Sequence, residues 1–194
     1  MILMDIEEII YKRRTIRRFK QDPIPTEILK KLIDLARVAP AATNVQCLEF
    51  IIINSPEMTK KMFPLVRWAS SLPKEQRDPE PGREPIAYII ILVNTNIKQS
   101  YYEFDIGAAV ENILLGAVKY ELGCCWMGSI NGSKIRTLLK IPDYYHITHV
   151  ISLGYPDEES FMEPYKDSYK YWKDEKGVMH VPKRSLDDIL FEIY

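Results

Sequence analysis

The chain has 194 residues, 46% of them hydrophobic, and a formal net charge of −1. A near-neutral balance gives no chain-wide basic field, which excludes nucleic-acid binding as a global property, and no apolar run is long enough to span a bilayer. The length suits one domain over residues 1–194. Such a chain buries roughly 70% of its unfolded surface and needs no disulfide or metal staple. Cys47, Cys124 and Cys125 make no disulfide framework. With acids directly after Met1 to Met4 and no signal-type apolar stretch, the expected setting is the cytoplasm, away from membranes.

Ile2, Ile6, Ile9 and Ile10 recur at helical spacing and predict a first amphipathic helix over 3–13. Pro25-Thr26 announces a second, with Thr26 as N-cap and Ile28, Leu29, Leu32, Ile33 and Ala36 on one face, stopping by Pro40. Residues 50–53 are apolar and β-branched and predict a buried strand, with a helix after Pro56. Residues 67–85 are rich in proline and charge, which predicts a long surface loop able to act as a lid. Residues 88–93 form the next central strand. From 104 to 122 a helix dense in small residues is apolar on more than one face, so it is buried on most sides. A strand over 124–130, a short helix over 134–139 and a strand over 148–153 follow. Leu186, Ile189 and Leu190 place a last helix in the tail. No repeat or low-complexity segment interrupts this interleaving, which predicts an α+β or α/β sandwich.

Two stretches carry candidate chemistry. Arg13-Arg14-Thr15-Ile16-Arg17-Arg18 sets four guanidiniums within six positions. A dianionic phosphate would relieve their repulsion through bidentate hydrogen bonds, whereas the alternative is a solvated basic edge. Ala39-Pro40-Ala41-Ala42-Thr43-Asn44-Val45-Gln46 sets two amides two residues apart between a helix stop and a strand. Their donors and acceptors suit the edge of a heterocycle, and they equally suit a capped turn. Other motifs fail. Gly128 to Lys134 has the wrong spacing and order for a phosphate loop, and no GxGxxG occurs. His146 and His149, three apart in a strand, are expected on opposite faces, and no metal site is expected.

Taken together, these stretches resemble the nitroreductase superfamily of FMN-dependent oxidoreductases. The resemblance lies in Arg13-x-Thr15-x-Arg17 ending the first helix and in Pro40-Ala41-x-x-Asn44-x-Gln46 some 25 residues later. It extends through the helix around Asp105 to Asn112, Trp126-Met127-Gly128, Leu153-Gly154-Tyr155-Pro156 and Lys183 to Ile189. It implies an α+β sandwich with a mostly antiparallel central sheet flanked by helices, dimeric, with a swapped C-terminal segment. It also implies that Arg13, Arg14 and Thr15, with Lys183 or Arg184, hold the FMN phosphate and ribityl chain. Arg17 would lie at the pyrimidine end of the flavin and be the catalytic residue. Pro40, Ala41, Ala42, Asn44 and Gln46 would come from the partner subunit, and Met127, Gly128 and Ser129 would face the ring through backbone atoms. The sequence departs from the pattern at Ala41, where many relatives carry serine. Residues 157–182 match nothing in the pattern.

By resemblance the chain is an NAD(P)H-dependent flavoprotein. It would pass electrons to a nitroaromatic, quinone or similar small acceptor by a ping-pong mechanism. Residues 67–85, with Trp68, and Tyr165, Tyr169, Tyr171 and Trp172 would line the substrate pocket, the alternative for these aromatics being packing across a dimer interface. Reductive dehalogenases, flavin-destructases and non-catalytic FMN carriers or sensors on the same scaffold stay open as alternatives.

Overall fold

The computed structural model describes residues 4–194, so Ile2 and the start of the predicted first helix lie outside the described residues. Helix α1 spans Ile6–Lys12 and opens on a capping box. There the Glu8 N–H donates to Asp5 Oδ1 at 2.8 Å and the Asp5 N–H to Glu8 Oε2 at 3.0 Å. Helix α2, Thr26–Arg37, starts one residue earlier than predicted, with Pro25 at the cap. The Thr26 hydroxyl is taken up instead as acceptor for Asn54 Nδ2 at 2.8 Å.

Four strands form the central sheet: β1 (Leu48–Ile53), β2 (Ala87–Asn94), β3 (Gly123–Met127) and β4 (Tyr145–Gly154). Their order is β1-β2-β4-β3 and every pairing is antiparallel. Strand β2 is an unbroken apolar run because both its faces are covered. Ile89, Ile91 and Val93 pack with Leu29, Leu32 and Ile113 of α2 and of α4, which spans Glu103–Lys119. Tyr88, Ile90 and Leu92 pack on the other side with Met62 and Ile135. Those two residues belong to α3, Pro56–Met62, and α5, Gly132–Leu139.

Residues 128–130, predicted as strand, leave the sheet after Met127, while β4 begins three residues before its predicted start. Within the strand lies a bulge. Ile91 pairs with His149 but Leu92 pairs with Ile147, leaving Thr148 extra. The slip puts His146 and His149 on the same face, not on opposite faces as strict alternation requires.

Past the last shared strand, β5 (Ser160–Pro164), β6 (Trp172–Lys173) and β7 (Met179–Lys183) form a second sheet in the order β5-β7-β6. Met179 anchors it, 1% exposed, beneath the central sheet. The predicted tail helix is a single turn, α6, Leu186–Ile189. Phe191, Ile193 and Tyr194 beyond it are exposed.

One further feature positions the site. Residues 15–19 cross the β3 edge of the sheet through two isolated bridges, Thr15 to Cys124 and Phe19 to Pro156, with the Ile16 N–H donating to Cys124 O at 2.9 Å. Gly123 and Gly154 are cross-strand partners. A Cβ on Gly123 would sit 2.7 Å from Ile16 Cβ, and one on Gly154 2.6 Å from Phe19 Cβ. The two glycines are therefore sockets that let Ile16 and Phe19 lie flat on the sheet, both buried.

Candidate functional site

The path of this segment divides the arginines. Arg13 and Arg14, at the end of α1, line a cavity of about 290 Å³ with Thr15, Glu111, Cys124 and Trp126. Arg13 Nε lies 3.7 Å from Glu111 Oε1, and an Arg14 terminal nitrogen donates to Tyr11 O at 2.6 Å. Burial, and then the neighbouring Arg13 charge, hold the Arg14 guanidinium below its ordinary range. Both causes are relieved by an anion.

Arg17 faces a second cavity of about 330 Å³, whose wall includes Trp126, Met127, Gly128 and Ser129. Trp126 thus borders both cavities. Arg17 is 8% exposed, its guanidinium carbon lies 4.8 Å from the Tyr171 ring centroid, and its Nε has no hydrogen-bond partner. Such an orphaned buried donor is uncommon and calls for a ligand-sized explanation.

Arg18 points away from both. Its Nε donates to Glu80 Oε2 at 2.7 Å, and its terminal nitrogens reach Glu80 Oε1 at 2.9 Å, Glu158 Oε2 at 3.4 Å, and the carbonyls of Gln76 and Asp78. Lys173 Nζ adds a contact to Glu158 at 3.2 Å. The repulsion within the run is therefore partly relieved inside the chain, and Arg18 is a strut rather than a phosphate ligand. This strut also corrects the surface-loop reading of residues 67–85. The loop is pinned at Glu80, and Trp68, Ala69 and Leu72 are buried in the core.

The amide turn lies elsewhere. Pro40, Ala41 and Gln46 line a third cavity of about 280 Å³ between α2, α4 and β1. Asp105 and Ala109 of α4 border it, whereas Glu111 and Leu114, further along the same helix, border the Arg13 cavity, so the two cavities are separate but successive along α4. Buried Asp105 fixes the turn by accepting from the Ala42 N–H at 3.0 Å and from Lys98 Nζ at 2.7 Å. Burial opposes its charge, but Lys98 and the Ala42 amide hold its carboxyl below the ordinary value. Thr43, Asn44 and Gln46 all adopt φ between 53° and 57°, and Gln46 Nε2 donates to Asn44 O at 3.3 Å. Three non-glycine residues in the left-handed region within four positions is stored strain of the kind found at ligand sites. Asn44 is exposed and lines none of the three cavities.

Lys183 and Arg184 line neither arginine cavity. Both are exposed, and Arg184 bonds to the carbonyl of Asp188 within its own tail. Of the aromatics at 165–172, only Tyr171 reaches the Arg17 cavity. Tyr165 stacks on Tyr169, and Trp172 on His180. The three cysteines are buried and free, and burial pushes all three thiols up, so none is a ready nucleophile. Sequence reasoning singled out neither Arg67 nor Arg77, although it expected residues 67–85 to line the pocket, and it put His149 on the wrong face. His149 reaches Trp126 at 5.3 Å between ring centroids only because the bulge turns it there.

Comparison with known proteins gives the family. Residues 10–155 match the model of the nitroreductase family. A protein of Archaeoglobus fulgidus that carries the provisional name NADH dehydrogenase/NAD(P)H nitroreductase is 33% identical over 164 residues, 80% of this chain and 88% of the relative. Among solved structures, a nitroreductase family protein from Clostridium novyi NT is 28% identical with a TM-score of 0.66, covering 95% of this chain and 98% of its own. An FMN-dependent nitroreductase from Clostridium difficile R20291 is 26% identical with a TM-score of 0.64, covering 82% and 91%. The antiparallel sheet flanked by helices is the fold of these structures, and the chain belongs to the nitroreductase family.

Proposed function

We propose that the chain is an FMN-dependent oxidoreductase that takes electrons from NADH or NADPH and gives them to a small oxidised acceptor. The observation that carries this reading is Arg17, a buried cation with an unpartnered Nε, facing a cavity that residues 127–129 also line. FMN fits what surrounds it. Arg13, Arg14 and Thr15 offer a phosphate two guanidiniums and a hydroxyl in a cavity that shares the Trp126 wall. Met127, Gly128 and Ser129 offer main-chain atoms to a flat ring.

When bound, FMN supplies the hydride chemistry, accepting from the nicotinamide and donating to the acceptor. Arg17 acts as a fixed cation at the pyrimidine edge and stabilises negative charge there. No acid or base is required of the chain. Reductant and acceptor use one open pocket in turn, which gives ping-pong kinetics.

The working unit is a cytoplasmic homodimer. Its support is the strained turn of Pro40, Ala41, Ala42, Asn44 and Gln46, which lines a cavity separate from those that hold this chain's own arginines. That turn serves the partner's flavin through backbone groups, since Ala41 and Ala42 lack a hydroxyl. The exposed apolar end, with Phe191 and Ile193, wraps the partner and carries Lys183 and Arg184 to its phosphate site. The test is the visible spectrum of the purified protein and its anaerobic bleaching by NADH or NADPH. A colourless protein without affinity for FMN refutes the reading, and a yellow protein that neither nucleotide bleaches reduces it to a carrier.

A further inference from the structure

The cavity beneath Tyr171 holds more positive charge than a bound ring requires. Arg17, Arg67 and Arg77 all line it, and no carboxylate does. Among the described residues none of the three forms an ion pair, whereas Arg13, Arg18 and Arg83 each face an acid. In a chain of net charge −1 this is a local concentration, not a general tendency.

Of the two extra arginines, Arg77 is held through its side chain and Arg67 through its main chain. Arg77 Nε donates to Leu72 O at 2.8 Å, which fixes its stem and leaves its terminal nitrogens free. The Arg67 N–H donates to Ser129 O at 3.0 Å, so its side chain issues from the wall beside the proposed ring site. Trp68 Nε1 is a second buried donor without a partner on the same lining. Trp68, Trp126 and Tyr171 add aromatic side chains to the same lining.

We propose that this cavity selects aromatic or quinonoid acceptors that carry an anionic substituent, a carboxylate or sulfonate, seated on Arg67 and Arg77. The inference rests on the oxidoreductase reading above and names its substrate class. Charge-assisted, bidentate hydrogen bonds between apolar walls are the strong kind, and they fix orientation as well as affinity. Arg17 stays with the flavin, so the acceptor's charged end is held toward the lid loop and its ring lies against the ring below.

The test is calorimetric titration of the FMN-loaded protein with 4-nitrobenzoate and with nitrobenzene. The wild type is expected to bind the anion about ten- to a hundredfold more tightly. Arg67→Gln/Arg77→Gln should abolish that preference while the flavin spectrum persists. Exposed Arg67 alone, as Arg67→Gln, should reduce it severalfold and keeps the test decisive if the double variant does not fold. Equal affinity for the two probes in a yellow wild-type protein overturns this proposal alone. So does a double variant that keeps its 4-nitrobenzoate preference but loses one for NADPH over NADH, because the anion would then belong to the reductant. A protein that takes up no flavin overturns both this proposal and the reading beneath it.

Discussion

Replacing Arg18 by methionine tests whether the lid loop is part of the folded core. The Arg18 side chain is 3% exposed and so is that of Glu158. The substitution removes two bonds to Glu80, one to Glu158 and two to main-chain carbonyls, and leaves Glu158 buried against Lys173 and the Arg17 N–H. Breaking a buried pair from one side costs about 3–5 kcal/mol, and the remaining lysine favours the lower half of that range. For a chain of this length that lowers Tm by about 6–16 °C, read by calorimetry with urea unfolding as a check. Glu80→Gln is the internal control. The Glu80 carboxylate is 53% exposed, so solvent screening limits its share to about 1 kcal/mol. Limited proteolysis should then cut the Arg18→Met protein within residues 74–80 before anything else. An Arg18→Met protein within about 1 kcal/mol of wild type would refute the strut.

Other outcomes follow from the same geometry. Hydrogen bonding to Arg18 draws the Glu80 carboxyl from its ordinary 4.5 down to about 2. Its contribution is therefore full above pH 4.5 and fades as the pH falls toward 2, and acid unfolding of Glu80→Gln should be flatter across that window. Asp105→Asn should cost about 3 kcal/mol by stranding Lys98, whose side chain is 14% exposed, and chemical denaturation measures it. Because the Asp105 pKa is depressed, the stability it adds is present above its unfolded value and lost on acidification, so the gap from wild type should close at low pH. Gly154→Ala should cost about 1–3 kcal/mol through collision with Phe19, seen as a lowered Tm with flavin affinity little changed. Arg17→Leu should slow flavin reduction about a hundredfold while FMN stays bound, followed by anaerobic stopped flow, and unchanged turnover with FMN in place would refute its role.

What the sequence disclosed was set by how local each signal is. Strand β2 and helix α4 were legible because burial on all sides writes an unbroken apolar pattern into contiguous residues. The arginine run and the amide turn were legible as spacing. What stayed hidden depended on partners far along the chain. Arg18 reads like Arg17 until Glu80 and Glu158, 62 and 140 residues away, are brought to it. His149 was misplaced because one extra residue in a strand reverses every side chain after it, and nothing in Ile147-Thr148-His149 announces the bulge. Trp68 and Leu72 sat among prolines and charges that suggested solvent, yet the loop returns them to the core.

The paired glycines under Ile16 and Phe19 act as an index mark. Arg17 and Arg18 are chemically identical neighbours, so sliding that segment by one position would conserve charge and composition while exchanging a cation meant for a ligand with one meant for glutamates. Neither charge nor hydrogen bonding penalises such a slip strongly. Two missing methyl groups do, because only one alignment drops an isoleucine and a phenylalanine into the only depressions there. An insertion or deletion between positions 16 and 19 should therefore be far more damaging than any single substitution of equal size in that stretch.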